Sequence, residues 1–213
     1  MQVKECSPVG IDVIQNKGAI IIGVSINNSY FKESNLTKII SWSATRASNV
    51  YIMIPDTPSV STLIALGYEQ NKAETLARLK SNSLENKCLF IIKELNLDNI
   101  KIIRWRDLIG RIEYVQAIGH IKYFYDNDLS FKDALRKTTS DVLKHNMSDV
   151  PSESQIDIGV VFLLQELAFI CHADSILKEE KLGYLYHNTM DVLKGIIENR
   201  FSFKTKIGFI TAE

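Results

Sequence analysis

A chain of 213 residues, 46% hydrophobic and 23% charged, is long enough for one domain with a sizeable core and too apolar to stay disordered. Its 25 basic and 25 acidic residues cancel to a formal charge of zero, which excludes a global field for a polyanion; any nucleic-acid partner needs a local patch. Cys6, Cys88 and Cys171 are odd in number and lack CxxC or Cys/His spacing, which excludes a disulfide framework and points to reduced, structural thiols.

The opening MQVKECSPVG lacks the basic-then-apolar order of a signal peptide. Residues 1 to about 16 read as an irregular lead-in. Gly18 to Gly23 is a short isoleucine-rich run, the pattern of a parallel strand covered on both faces. It ends in GVSINNSYF (Gly23 to Phe31), a polar loop that is either a simple turn or a place where chemistry collects. Leu36 to Ala47 has helical spacing, and Val50 to Ile54 is a second buried strand stopped by Pro55-Asp56-Thr57-Pro58. A long helical stretch from Thr62 to Asn86 is interrupted near Gly67, and Cys88 to Ile92 extends it. Ile100 to Trp105 is the third strand. Helices follow at Arg111 to Tyr125 and Leu129 to Asn146, joined by the turn Asp126-Asn127-Asp128. Met147 to Gln155 is linker-like. Beyond it lie an apolar helix from Ile156 to His172, a strand from Gly183 to Tyr186 and a last helix near Thr189 to Asn199.

Strands alternating with helices predict an α/β fold with a mainly parallel sheet, here a single Rossmann-like domain over residues 1–213. The longest apolar run, Ile158 to Ile170, is broken by Gln165 and Glu166 and is too short to span a bilayer, so a cytoplasmic protein is expected. In such sheets a ligand sits outside the carboxyl ends of the strands. Ser25 occupies that position after the first predicted strand, and Tyr186 and His187 occupy it after the last.

Glu166 is the anomaly of the apolar helix. Its neighbours one turn away, Phe162, Leu163, Phe169 and Ile170, are all apolar, so its face is expected to be buried. An isolated buried carboxylate costs several kcal/mol and is retained when it meets a cation. That cation comes either from a distant Lys or Arg or from a ligand.

The ordered set GVSINNSYF, PDTPSVSTLIALGYEQNKAETLARLK, LLQELAFI and LYHN resembles the cyclodipeptide synthases over nearly the whole chain. That family looks like the catalytic domain of tyrosyl- and tryptophanyl-tRNA synthetases and joins the aminoacyl groups of two aminoacyl-tRNAs into a 2,5-diketopiperazine. The resemblance implies that Ser25 accepts the first aminoacyl group, with Gly23 near the reacting carbonyl and Asn28 bracing the site. It also implies that Glu166 holds the substrate ammonium and that Tyr186 relays a proton beside His187. Ile21, Met53, Phe169 and Tyr184 are the implied lining of the first side-chain pocket. Lys72, Arg78, Lys80 and Lys87 fall on the implied tRNA-binding helix. Lys72, Lys80 and Lys87 share an arc of about 80°, although Leu76 lies within it and Arg78 points elsewhere. One position departs from the pattern: Phe162 stands where the family usually has a tyrosine, so the hydroxyl that shares in holding the ammonium is missing. Tyr30 and Tyr184 are candidates to replace it.

The chemistry is coherent on its own terms, since an aminoacyl ester is already activated and a serine hydroxyl can accept its acyl group. GVSIN is not the elbow GxSxG, and Walker, GxGxxG, HIGH and KMSKS motifs are all missing, so no ATP-driven activation and no cofactor is expected. His120, His145, His172 and His187 lack HExxH spacing, and no metal is expected. A monomer is expected. Two other readings are a serine acyl-hydrolase with His187 as base, and a non-catalytic aminoacyl-tRNA or nucleotide-binding module.

Overall fold

The computed structural model describes residues 1–188 and 190–212. Among these the strands are β1 (Val3–Cys6), β2 (Ala19–Gly23), β3 (Val50–Ile54), β4 (Ile100–Arg104), β5 (Leu182–Tyr186) and β6 (Gly208–Ala212). The helices are α1 (Pro8–Gln15), α2 (Glu33–Arg46), α3 (Ser59–Ala65), α4 (Gln70–Glu94), α5 (Ile112–Asn127), α6 (Leu129–Asn146), α7 (Glu153–Cys171), α8 (Ala173–Leu177) and α9 (Asp191–Ile197).

The strands form one sheet in the order β1-β6-β5-β2-β3-β4, parallel throughout except where β1 pairs antiparallel with β6 at the edge. Every residue of β2 and β3 is buried, because helices cover both faces and no position along these strands can be polar. The two-residue period divides them between two cores. Ile21, Met53 and Tyr184 face the layer built with α5, α6 and α7, while Ile20, Ile22, Ile52 and Leu185 face the layer built with α2 and α4.

Two expectations need correction. The first sixteen residues are not an irregular lead-in: they hold β1 and α1, with the Ser7 hydroxyl accepting from the Gly10 N–H and Pro8 in the first turn, the usual start of a helix. The half-polar VKEC suits an edge strand, which has a partner on one side only. The closing strand β6 is likewise beyond the predicted set. Gly67, at φ +92°, makes the break between α3 and α4, and α4 runs on through Cys88 as expected. The expected start of the last helix, Thr189, lies outside the described residues.

α7 is long and apolar enough to cross a membrane by length and composition, yet half of that stretch is buried, packed against α3, α5 and α6. At the carboxyl ends of β3 and β4 a buried ion-pair network joins Arg104 to Asp56 (3.5 Å) and to Glu85 of α4. It fixes α4 against the end of the sheet where the site lies.

Candidate active site

Past Gly23 the chain leaves the sheet and turns back over its carboxyl edge, so Ser25 and Asn28 stand at the mouth of a cleft of about 840 Å³. The opposite wall comes from Phe162, Leu163 and Glu166 of α7, and the end of β5 supplies Tyr186 and His187. Residues 141 positions apart in sequence, Ser25 and Glu166, thus border one cavity. Among the described residues the Ser25 hydroxyl makes no hydrogen bond within the protein.

Asn28 organises the strand-end cluster. Its Oδ1 accepts the Tyr30 N–H at 2.9 Å, which turns its amide nitrogen toward His187 Nε2, 3.0 Å away. Facing an N–H donor, Nε2 must be the unprotonated nitrogen, so the ring proton sits on Nδ1, which is buried without a partner among the described residues. The imidazole is stacked on Tyr30 at 4.5 Å between centroids and meets Phe31 and Tyr186 edge-on. Burial lowers the His187 pKa, keeping the ring neutral near pH 7. Burial first, and then the Glu166 charge, raise the Tyr186 pKa, against the opposing hydrogen bond from Asn28. Its phenol therefore keeps its proton and can donate it.

Glu166 lies deep in the wall with some surface open to the cleft. Leu163, Phe169 and Ile170 are buried around it, as the helical spacing predicts. Among the described residues it forms no ion pair. Desolvation raises its pKa from 4.5 to about 7, and its hydrogen bond from the Tyr184 hydroxyl, at 3.3 Å, opposes that rise. The choice left open by the sequence, a protein cation or a ligand cation, is thereby narrowed: among the described residues the protein supplies none.

Ile21, Met53, Phe169 and Tyr184 pack together in the core beneath Gly23, and none of them borders the open cleft. Gly23 is required there. A methyl group on its Cα would overlap the Tyr184 hydroxyl and approach Cζ to 2.6 Å.

Further walls of the cleft come from α3, with Ser59 and Thr62, and from α6, with Thr138, Thr139, Asp141, Leu143 and His145. These residues carried no sequence signal, because polar residues on an amphipathic helix look alike whether they face solvent or a cavity. The exposed side of α4 carries Lys72, Arg78, Lys80 and Lys87. Lys72 sits over the Tyr68 ring at 5.3 Å, and Lys80 Nζ donates to Asn27 Oδ1 at 2.6 Å, which ties the basic helix to the Ser25 loop.

The parallel sheet with its crevice at the carboxyl ends is the architecture of class I synthetase catalytic domains, and a tyrosyl-tRNA synthetase from Archaeoglobus fulgidus superposes with a TM-score of 0.62 at 11% identity, over 99% of this chain and 60% of that one. A family model described as cyclodipeptide synthase matches residues 3–210, and the chain belongs to that family. A curated relative, cyclo(L-leucyl-L-leucyl) synthase from Staphylococcus haemolyticus, is 26% identical over 206 residues, 93% of this chain and 88% of its own. A solved cyclodipeptide synthase from the same organism superposes with a TM-score of 0.90 at 24% identity, covering 99% of this chain and 97% of that one. The chain is thus an enzyme of an aminoacyltransferase family.

Proposed function

We propose that the cleft joins two aminoacyl groups, delivered as aminoacyl-tRNAs, through an ester on Ser25. The observation that carries this reading is a buried carboxyl without a cation among the described residues, in one cavity with a serine hydroxyl free of internal hydrogen bonds. An aminoacyl ester brings both the missing cation, its ammonium, and an activated carbonyl. Ser25 Oγ attacks that carbonyl, the C–O bond to the tRNA breaks, and the serine proton ends on the departing hydroxyl. An amide then forms with the second aminoacyl group, releasing the second tRNA. Attack of the remaining amine on the Ser25 ester closes the ring and frees the serine. Tyr186, protonated and beside Asn28, is suited to pass the protons these steps move, and the neutral His187 fixes its surroundings.

Leu66, Leu143, Leu163, Phe162 and Met190 give the cleft apolar walls, which favour aliphatic amino acids like those in the relative's name. Lys72, Lys80 and Lys87 are the proposed phosphate partners, with Arg78 at their margin. Charged tRNA is made where translation occurs, so the proposed activity is cytoplasmic. A hydrolase reading is disfavoured because His187 Nε2 is engaged by Asn28 rather than by Ser25.

The test is expression in a bacterium with mass spectrometry of the medium for diketopiperazines, together with intact-protein mass spectrometry after mixing with charged tRNA. The intact protein should gain an aminoacyl mass, and Ser25→Ala should gain none and yield no product. An alanine variant that still carries the mass would exclude Ser25 as the acceptor.

A further inference from the structure

We propose that Lys80 is a positioning residue: from α4 it holds the Ser25 loop through Asn27, so that one cation places both the tRNA backbone and the acyl acceptor. This rests on the acyl-transfer reading above.

Between the end of β2 and the turn at Ser29–Phe31 the chain has little backbone support. Among the described residues, the N–H groups of Ser25, Ile26, Asn27 and Asn28 make no turn or loop hydrogen bond to another backbone group. Side chains set the path of this loop instead. Asn28 ties its far end to Tyr30 and His187. Ile26 packs on the cluster of Leu63 from α3 with Ala73 and Ala77 from α4. Asn27, which borders the cleft next but one to Ser25, accepts from Lys80 Nζ at 2.6 Å.

The helix is built to carry that contact. Ala73, Ala77 and Lys80 recur at intervals of four and three residues, so they share one face of α4. The two alanines are 0% and 1% exposed, and their small side chains let the loop come close, while Lys80, one turn further on, reaches its polar atom. The next turn of α4 is fixed in place, because Asn82 and Glu85 both accept from Arg104 at the end of β4, and Arg104 pairs with Asp56 beyond β3. Lys80 thus carries a frame anchored to the sheet directly to the serine loop. An ammonium has three N–H donors, so Nζ keeps two for a phosphate oxygen while it holds Asn27. Lys80 also stands where the alanine face meets the arc it shares with Lys72 and Lys87, and one side chain can serve both neighbours.

The experiment follows single-turnover acylation of the full-length protein by intact mass, over a range of concentrations of bacterial tRNA charged with the standard amino acids. A phosphate contact acts on the half-saturating concentration, and placement of the loop acts on the limiting rate. Lys80→Ala should raise the first and also lower the second by roughly 4- to 12-fold, the worth of one hydrogen bond. Asn27→Ala should lower the limiting rate by the same factor. Asn27→Asp, which keeps the accepting oxygen, should stay within about twofold of the parent. The double variant Asn27→Ala with Lys80→Ala should be no slower at saturation than either single one, since both remove the same contact. A Lys80→Ala protein that differs only in its half-saturating concentration would overturn the proposal, as would Asn27→Ala at the parent's limiting rate. Losses that multiply in the double variant, or an Asn27→Asp as slow as Asn27→Ala, would overturn it too. Should Asn27→Ala fold poorly, Lys80→Ala, on the exposed side of a long helix, still decides the matter by its limiting rate. Failure of the unaltered protein to acylate at all would instead refute the acyl-transfer reading.

Discussion

Replacing Glu166 by glutamine separates what the carboxyl does for the fold from what it does for the substrate. Burial raises its pKa from 4.5 to about 7, so the folded protein binds this proton more tightly than the unfolded chain does. The stability it contributes is therefore full below pH 4.5 and is lost as pH rises through 7. At about 1.4 kcal/mol per pH unit the loss amounts to about 3 kcal/mol at pH 8. Glutamine keeps the shape and can still accept from Tyr184, yet never ionises. The empty Glu166→Gln variant should thus melt above the parent at pH 8, by as much as roughly 6–12 °C for a chain of this size, and match it near pH 4.5. Acylation of Ser25 should move the other way. Removing one side of a buried charge pair costs about 3–5 kcal/mol, or roughly two to four decades in rate. Scanning fluorimetry across pH and acylation kinetics on one preparation test both halves. A variant that melts lower at pH 8 while acylating normally would show that Glu166 is a structural anchor, and would refute the reasoning.

Two further outcomes follow from the geometry. Lys80→Ala with Lys87→Ala should weaken tRNA binding and lower the slope of log affinity against log salt by about 0.7–0.9 for each phosphate no longer neutralised, and an unchanged slope would put the tRNA elsewhere. Gly23→Ala should lower stability by about 1–3 kcal/mol and suppress acylation, because its methyl group displaces the Tyr184 ring; an unshifted melting curve would contradict that packing.

Those parts of the molecule whose physics is local could be read from the sequence. β2, β3 and β5 are runs buried on both faces, so composition alone exposes them, and Ser25, Tyr186 and His187 follow from standing just past their ends. Glu166 stood out because four helix neighbours left its charge no company. What escaped depends on pairings between distant residues. β1 and β6 are short and partly polar, and each makes sense only beside the other. Arg104, Asp56 and Glu85 form a network that no spacing rule joins. The link from Lys80 to Asn27 crosses 53 positions, and the α6 wall looks in sequence like any solvated helix face.

The order of strands in the sheet has a consequence for biosynthesis. β2, β3 and β4 are neighbours in space and come from the first half of the chain, so this subassembly, with the Ser25 loop at its end, can form early as the chain emerges. β5 must then add beside β2, and β6 beside β5, while β1 waits for a partner some two hundred residues downstream, with Val3 opposite Ala212. Until that happens one side of β2 is an open strand edge, apolar on both faces and able to pair with any other chain. Ser25 is thus displayed on a fragment that lacks Glu166, Tyr186 and His187, so the acyl transfer proposed above has to wait until α7 and β5 have docked. Long-range closure of this kind is slow relative to local helix formation, so the interval before β5 and β6 dock is the time when this protein is most exposed to aggregation.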